Sequence, residues 1–420
     1  MLVSSQEAPT TQRRSNSPWF LKALGVIFAM QLVVNAVRPT VSYRALALGA
    51  DNFQLGLIAA GFALLSLVFA IPVGRMIDHR GEMPFIVSGL VLVTAVAFAL
   101  LTVDSIWALF ATQAVLGLGQ VLTTVGMQAL IANSGSEHRD SRFGAFTVVV
   151  SLGQFAGPAV AGVLAQHVPV PEALRMGPAM SLAGSSVFLA AGVAGLIGCL
   201  LAMSNRHQGS AARGDLVTKP PTDVSMLRSI GRVLRQPSAP QAMFASIAVL
   251  TTTDLLVAYL PAYGEAAGLS TTTVGLLLSA RAGASICSRL FLQPLTRMVG
   301  RFRLLVLSTA VPALVLAPLT LLESVPVAFV LLVIAGFGLG MGQPLSLVWI
   351  TETAPGNMRG TAVGVRLSGN RLGQVAIPAL VGGVVGSAGL GAVFVAMAVM
   401  LAGSSMLTIT GSRGRQSEEG

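Results

Sequence analysis

The chain has 420 residues, of which 54% are apolar and only 10% charged, too few charges to cover the surface of an ordinary soluble protein. Its net charge of +10 needs no nucleic-acid partner, because the basic residues are concentrated in connections between apolar runs. The composition therefore excludes a typical soluble protein and predicts one embedded in a membrane.

Twelve apolar runs have about the 20 residues that a helix needs to cross a bilayer. Because the backbone must satisfy its own polar groups in lipid, we expect each run to be a helix and the protein to be all-α. The predicted spans are 18–44, 53–74, 84–103, 106–131, 143–167, 178–202, 239–262, 272–295, 303–322, 326–350, 361–385 and 388–410.

Charge bias predicts the orientation and the domain boundaries. Basic residues lie before the first span, after each even-numbered span and in the middle connection, whereas the opposite loops hold mainly acids besides Arg44 and Arg175. This pattern predicts a multi-pass inner-membrane protein with both termini in the cytoplasm and no cleavable signal peptide.

The predicted units are a tail 1–17, a six-helix bundle 18–202, a linker 203–238, a second bundle 239–410 and a tail 411–420. Residues 226–235 of the linker suit an amphipathic helix on the inner leaflet.

The chain contains an internal repeat. GQFAGPAVAG at 153–162 returns as GQVAIPALVG at 373–382, with six of ten positions identical, and Gly49 and Gly56 recur as Gly268 and Gly275 at almost the same offset. The repeat predicts two parallel halves of six helices with a site between them near the middle of the membrane.

A motif follows the second span. The sequence GRMIDHRG at 74–81 resembles the G-x-x-x-D-x-x-G motif of the major facilitator superfamily, with Gly74, Asp78 and Gly81 matching. The motif departs from the family at His79, where an arginine is usual, and at Glu82, where a basic residue is common; we expect Arg80 to act in gating together with the three matching residues. The resemblance implies a twelve-helix transporter in which Asp78 docks at the start of helix 11 when the cytoplasmic side closes. A tight turn with a solvated Asp78 is the alternative.

The fifth span carries a second motif. Gly144, Gly153, Gly157-Pro158 and Ala161-Gly162 resemble the superfamily's antiporter motif, with Ala161 in place of one glycine. The resemblance implies an exporter that exchanges substrate for protons. The small residues allow another helix to approach closely and Pro158 permits a bend, although plain packing is the alternative. Gln113 stands where relatives carry an arginine linked to proton movement, which leaves the proton route open.

Asp254 is the only acid deep within a span, so we predict that it carries the proton. The alternative is a fixed ion pair between Asp254 and an arginine. The repeat pairs Asp254 with Asn35, and we expect these two residues to face each other.

Several deep polar residues are candidates for binding substrate. Arginines outnumber the single acid, which predicts an anionic substrate, unless some arginines bind carbonyls or seal gates. The arginines are Arg38, Arg281 and Arg371; Arg366 is also in a span and either snorkels or is buried. The neutral candidates are Asn35, Gln120, Gln343, Asn370 and Gln374, and Tyr259 is a candidate for binding or for an outer gate.

The sequence thus predicts a monomeric secondary transporter, proton-coupled, that exports a small organic anion or drug-like metabolite by alternating access. Uptake by proton symport, lipid flipping and membrane sensing without transport are the alternatives. No nucleophile–base set or cluster of metal ligands is apparent, so we expect no enzyme activity, metal or cofactor; protons and membrane lipids are the other expected partners.

Overall fold

The computed structural model describes residues 18–134, 139–169, 183–205, 231–236, 239–321, 324–353 and 359–416. Within these residues the chain forms twelve long helices and no strand, which confirms the predicted fold class. The helices are α1 Pro18–Ala47, α2 Asn52–Arg80, α3 Met83–Ala99, α4 Ile106–Ala132, α5 Arg139–His167, α6 Ser185–Ser204, α7 Ala239–Ala266, α8 Thr271–Leu290, α9 Arg301–Leu316, α10 Val325–Thr353, α11 Arg359–Ala388 and α12 Ala392–Gln416.

The length and the apolar composition of these helices suit a membrane. Nine of those in the described ranges are long and apolar enough to cross one, or ten if α8 and the helix after it count as one bent span. Large apolar side chains such as Leu314 and Met406 are more than two thirds exposed on the outside of the bundle. Such exposure would be unfavourable in water and suits contact with lipid chains.

The predicted boundaries differ from the structure at two functional places. Residues 74–80 are not a loop but the last turns of α2, which ends at Gly81 with a φ of 83°. The eighth predicted span, 272–295, is not one helix. It breaks at Phe291 and continues as a short helix, Leu292–Val299, at an angle of 63°. Pro294 explains the break, because its ring would clash with the carbonyl of Leu290 in a continuous helix.

The two halves repeat each other, as predicted. The repeat-related glycines Gly81 and Gly300 both end a helix at positive φ, 83° and 86°. One residue later, Glu82 accepts a hydrogen bond from Asn133 at 2.6 Å. The same two positions of the second half hold the ion pair between Arg301 and Glu352. The contact is therefore kept in both halves although its chemistry has changed.

The halves meet along two helix crossings, α2 with α11 and α5 with α8. At the first, a Cβ on Gly56 would lie 2.4 Å from the carbonyl oxygen of Pro378. At the second, a Cβ on Gly275 would lie 2.4 Å from the carbonyl oxygen of Pro158. Gly56 corresponds to Gly275, and Pro378 to Pro158, so the two repeated sequences form one contact used twice. Only glycine permits so close an approach.

Both crossings lie toward one end of the bundle. We call the end where α1 begins and α12 ends the terminal face, and the other end the opposite face. At the terminal end of the same helices, a Cβ on Gly74, Gly144 or Gly364 would meet no other helix within 4 Å. The described helices are therefore closed together at the opposite face and separated at the terminal face.

Candidate functional site

An ion pair joins the two halves near the middle of the bundle. Arg38 of α1 donates from Nη1 to Oδ1 of Asp254 on α7 at 2.8 Å, and Asp254 is only 6% exposed. The guanidinium of Arg38 also lies 4.0 Å from the ring centre of Phe62 on α2. Arg38 is therefore held both by a carboxylate of the other half and by an aromatic ring of its own half.

The ion pair continues into α11 through an amide. Gln374 donates from Nε2 to Oδ2 of Asp254, and its Oε1 accepts a hydrogen bond from Nη1 of Arg371 at 3.1 Å. The amide orientation follows from its neighbours, because only the NH₂ group can donate to a carboxylate and only the carbonyl oxygen can accept from a guanidinium. Arg38, Asp254, Gln374 and Arg371 thus form one chain across α1, α7 and α11.

Arg281 of α8 is buried without an acidic partner. Its exposed fraction is 8%, and within the described ranges no carboxylate lies within 4 Å of it and its Nε has no acceptor. Gly336 of α10 packs directly against the Arg281 backbone. Arg281 and Arg371 both interact electrostatically with Asp254 and Arg38. The centre therefore holds three arginines and one carboxylate.

The remaining candidates of the second half form a cluster nearer the terminal face. Arg366 is buried and donates to the backbone and side-chain oxygens of Gln343 at 2.9 and 2.7 Å. Gln343 in turn donates to the backbone oxygen of Ser246 at 2.7 Å. Asn370 lies between Arg366 and Gln374 along α11 and is buried, with no donor to its Oδ1 in the described chain. Arg366 is thus buried within the protein and does not snorkel.

In the first half, Asn35 is not brought to Asp254. Its Nδ2 donates to the backbone oxygen of Gln31 at 2.8 Å, and Gln120 donates to Oε1 of Gln31 at 3.4 Å. Arg38, one turn farther along α1, contacts Asp254 instead. Gln31 was missed by the sequence analysis although its spacing of four residues from Asn35 places both on one face of a helix.

The glycines of the fifth span pack against this polar part of α1. A Cβ on Gly153 would lie 2.5 Å from the Cβ of Gln31, and one on Gly157 would lie 2.7 Å from that of Asn35. The other side of α5 meets α8 through the carbonyl of Pro158. The close approach expected from the small residues is present, and α5 lies between the polar face of α1 and the second half.

Tyr259 and the candidates at the end of α2 lie away from the centre. Tyr259 is fully buried, and its hydroxyl donates to the backbone oxygen of Asn52 at 2.9 Å within the α2–α11 crossing. It therefore belongs to the closed opposite face and not to the surroundings of Asp254. Gly74 and Arg80 lie in the last turns of α2, and Arg80 is exposed. The side chain of Asp78 is outside the described residues, so its docking on α11 stays a prediction.

Other parts of the described chain offer no metal site, since no three residues among its His, Cys, Asp and Glu are close enough to hold an ion. The end of the predicted amphipathic helix is described only at residues 231–236. There Val233 is buried in an apolar cluster with Ala242, Ile350 and Ala362. The rest of that helix, and most of the linker, lies outside the described residues.

Comparison with known proteins gives a consistent family. A model described as "Major Facilitator Superfamily" matches residues 23–378. Over 363 residues the chain is 23% identical to the "Tetracycline resistance protein, class G" of Vibrio anguillarum, covering 85% of this chain and 86% of that protein. Over 141 residues it is 26% identical to the "Quinolone resistance protein NorA" of Staphylococcus aureus, covering 33% of this chain and 36% of that one.

A solved structure has the same fold. The crystal structure of a bacterial homologue of the human lysosomal transporter Spinster, in an inward-facing and occupied conformation, superposes with a TM-score of 0.73 at 17% identity. The match covers 94% of this chain and 96% of that one. At this identity the likeness concerns the fold alone.

Proposed function

The chain belongs to the Major Facilitator Superfamily and is a membrane transporter; from this premise we propose that it exports a small, partly apolar organic molecule bearing an anionic group in exchange for protons. The proposed mechanism is alternating access between two six-helix halves. Asp254 is the proposed proton carrier, and Arg38, Arg281 and Arg371 form the proposed anion site.

One observation carries the proposal: the ion pair between Arg38 and Asp254 joins the two halves. Protonation of Asp254 would remove the charge that Arg38 pairs with. The free energies of the two arrangements of the halves would then change by unequal amounts, because the contact depends on how the halves lie. A proton on Asp254 can therefore bias the alternation, which is what coupling requires.

The unpaired arginines support an anionic group on the substrate. Arg281 and Arg371 contribute two positive charges that no carboxylate of the described chain neutralises within 4 Å. A guanidinium binds a carboxylate or phosphate through two parallel hydrogen bonds, which gives both affinity and orientation. A substrate anion would offset the cost of keeping these charges away from water.

Export is the direction that the relatives support. The matched proteins of V. anguillarum and S. aureus are named for resistance to tetracycline and to quinolones, and a transporter confers resistance by moving a drug out of the cell. The excess of basic residues at the terminal face supports a cytoplasmic position for that face. Substrate would then enter the open side of the bundle from the cytoplasm.

The proposal is tested by drug accumulation in cells that express the full chain, with tetracycline and a quinolone as probes. We expect lower accumulation than in cells without the chain, and loss of the difference when a protonophore dissipates the gradient. Asp254→Asn should abolish gradient-driven export because an amide cannot carry the proton. Glu265→Gln, a change to an exposed acid at the opposite face, is the matched control and should export normally. Unchanged export by Asp254→Asn would remove Asp254 from the mechanism.

Uptake of an organic anion by proton symport is the second candidate. The observation that favours it is the ion pair between Arg38 and Asp254, because a proton on Asp254 would free Arg38 to join Arg281 and Arg371 in binding an anion. Proton and anion would then promote each other's binding, as symport requires. Raised accumulation of a carboxylate in expressing cells at acid external pH would support this candidate and contradict export.

A further inference from the structure

We propose that the exported substrate is a zwitterion, whose cationic group replaces Arg38 at Asp254 and whose anionic group binds Arg281 or Arg371. This inference rests on the proposed exchange of substrate for protons, and it names the class of substrate that the central site accepts.

The first step concerns what exchange requires. If a proton and the substrate bound together, the carrier would move both in the same direction, so in an exchanger they must compete for one group. Asp254 is the proposed proton carrier, and a substrate competes for a carboxylate by presenting a cation. The charged groups that interact with Asp254 in the described chain are all basic: Arg38 from α1, Arg281 from α8 and Arg371 from α11. Two further arginines lie on the same helices, Arg289 of α8, which interacts with Arg281, and Arg366 of α11, which is bound to Gln343. The middle parts of α2, α10 and α12 carry no charged residue.

The second step concerns Arg38, which has an alternative place to rest. Its guanidinium already lies 4.0 Å from the centre of the Phe62 ring on the same half. A cation over an aromatic ring is attracted by the negative face of the ring, and more strongly where water is absent. When an incoming cation takes the place of Arg38 at Asp254, the guanidinium of Arg38 can keep its contact with the Phe62 ring, and this contact favours the exchange.

The third step concerns the anionic group of the substrate. A purely anionic substrate would leave the Arg38–Asp254 pair intact and would not compete with a proton. A purely cationic substrate would add charge to a centre that already holds three arginines and one carboxylate. Gln374 separates the carboxylate of Asp254 from the guanidinium of Arg371 by one amide group, and Arg281 lies near with no acid of its own. A zwitterion satisfies a carboxylate and an arginine together and adds no net charge.

The test uses three probes built on one ring: 4-(aminomethyl)benzoate as the zwitterion, 4-methylbenzoate as the anion and 4-methylbenzylamine as the cation. In 4-methylbenzoate a methyl group replaces the aminomethyl group of the zwitterion. In 4-methylbenzylamine a methyl group replaces its carboxylate. Dissociation constants are measured by calorimetry on the purified full chain between about pH 6 and pH 8, where the amine and the carboxylate both stay charged. We expect the zwitterion to bind most tightly and to weaken by up to about tenfold for each pH unit of acidification, because a proton competes with its cationic group for Asp254.

Variants test which residues bind the cationic group of the zwitterion and which bind its anionic group. Asp254→Asn should remove the pH dependence and reduce the affinity of the zwitterion to that of the anion. Arg281→Gln combined with Arg371→Gln should reduce it to that of the cation. The matched control is Gln154→Leu, at the position of the first half that corresponds to Gln374, and it should bind all three probes as the wild type does. If a variant cannot be purified in a folded state, the pH series on the wild type still tests whether a proton and the zwitterion compete, because that series needs no substitution.

Three results would overturn the proposal. Binding of 4-methylbenzoate that equals that of the zwitterion and tightens with acid would favour symport of an anion. Binding of 4-methylbenzylamine that equals that of the zwitterion would leave the arginines without a role. A chain that exports tetracycline in a proton-dependent way, yet binds none of the three probes, would refute the zwitterion while the proposed export stands. Absence of proton-dependent export in cells would refute the export itself.

Discussion

Three arginines within the helices differ in how their charge is compensated. Arg38 has the carboxylate of Asp254, and Arg281 has none among the described residues. Arg44, which the sequence analysis assigned to a loop, is fully buried in α1. Its guanidinium donates to three backbone oxygens at the ends of α3 and α6, at 3.0–3.2 Å, and to the hydroxyl of Ser185 at 2.7 Å. Arg44 therefore ties α1 to the ends of α3 and α6 at the opposite face, whereas Arg281 is one of the arginines proposed to bind an anion.

This difference predicts opposite effects on stability. Arg38→Leu would leave Asp254 buried without its ion-pair partner and should lower the free energy of unfolding by about 3–5 kcal/mol. Arg281→Leu removes a charge that has no ion pair, so we expect the free energy of unfolding to stay the same or to rise. Denaturant unfolding of the purified chain in micelles at neutral pH measures both. A loss in Arg281→Leu as large as that in Arg38→Leu would mean that Arg281 is structurally paired.

At the scale of elements, the repeated sequence around Pro158 of α5 and Pro378 of α11 is explained by the crossings with α8 and α2. The sequence contains the duplication, and small residues indicate that some helix comes close. It does not contain the partner, since helical periodicity fixes which residues share a face but not which helix covers that face. The break of α8 at Phe291 was overlooked because the apolar run continues past Pro294, and apolar content says little about backbone continuity.

The crossings predict how the opposite face opens. In Gly56→Ala or Gly275→Ala the added methyl group would lie 2.4 Å from a backbone oxygen, so the helices must move apart there. We expect a lower melting temperature and a shift of the population toward chains that are open at the opposite face, seen as faster labelling of a cysteine placed in the crossing. Gly383→Ala, on α11 with no neighbour within 4 Å, is the matched control. Equal labelling rates in all three variants would show that the crossings do not limit opening.

At the scale of the whole molecule, the proposed orientation decides which side of the membrane the separated ends of the helices face. The described helices are closed at the opposite face and separated at the terminal face, so the orientation determines whether the open side faces the cytoplasm or the exterior. The charge bias predicts the cytoplasm for the terminal face.

Cysteine labelling tests the orientation. In a chain whose own cysteines are replaced by serine, Glu265→Cys at the opposite face should react with a membrane-impermeant maleimide in intact cells. Arg75→Cys near the terminal face should react only after the membrane is permeabilised. Both positions are exposed, so burial does not account for a difference. The reverse pattern would invert the predicted topology.

The sequence by itself determined the membrane class, the number of spans and the duplication, because all three are written in local composition and in repetition along one chain. It also singled out Asp254 and the deep arginines, since charges in apolar spans are conspicuous. Only the tertiary structure decided that Arg38 and not Asn35 meets Asp254, that Gln374 links Asp254 to Arg371, and that Tyr259 belongs to a closed face. These are contacts between helices whose relative rotation and depth depend on packing across the whole bundle, which no single helix encodes.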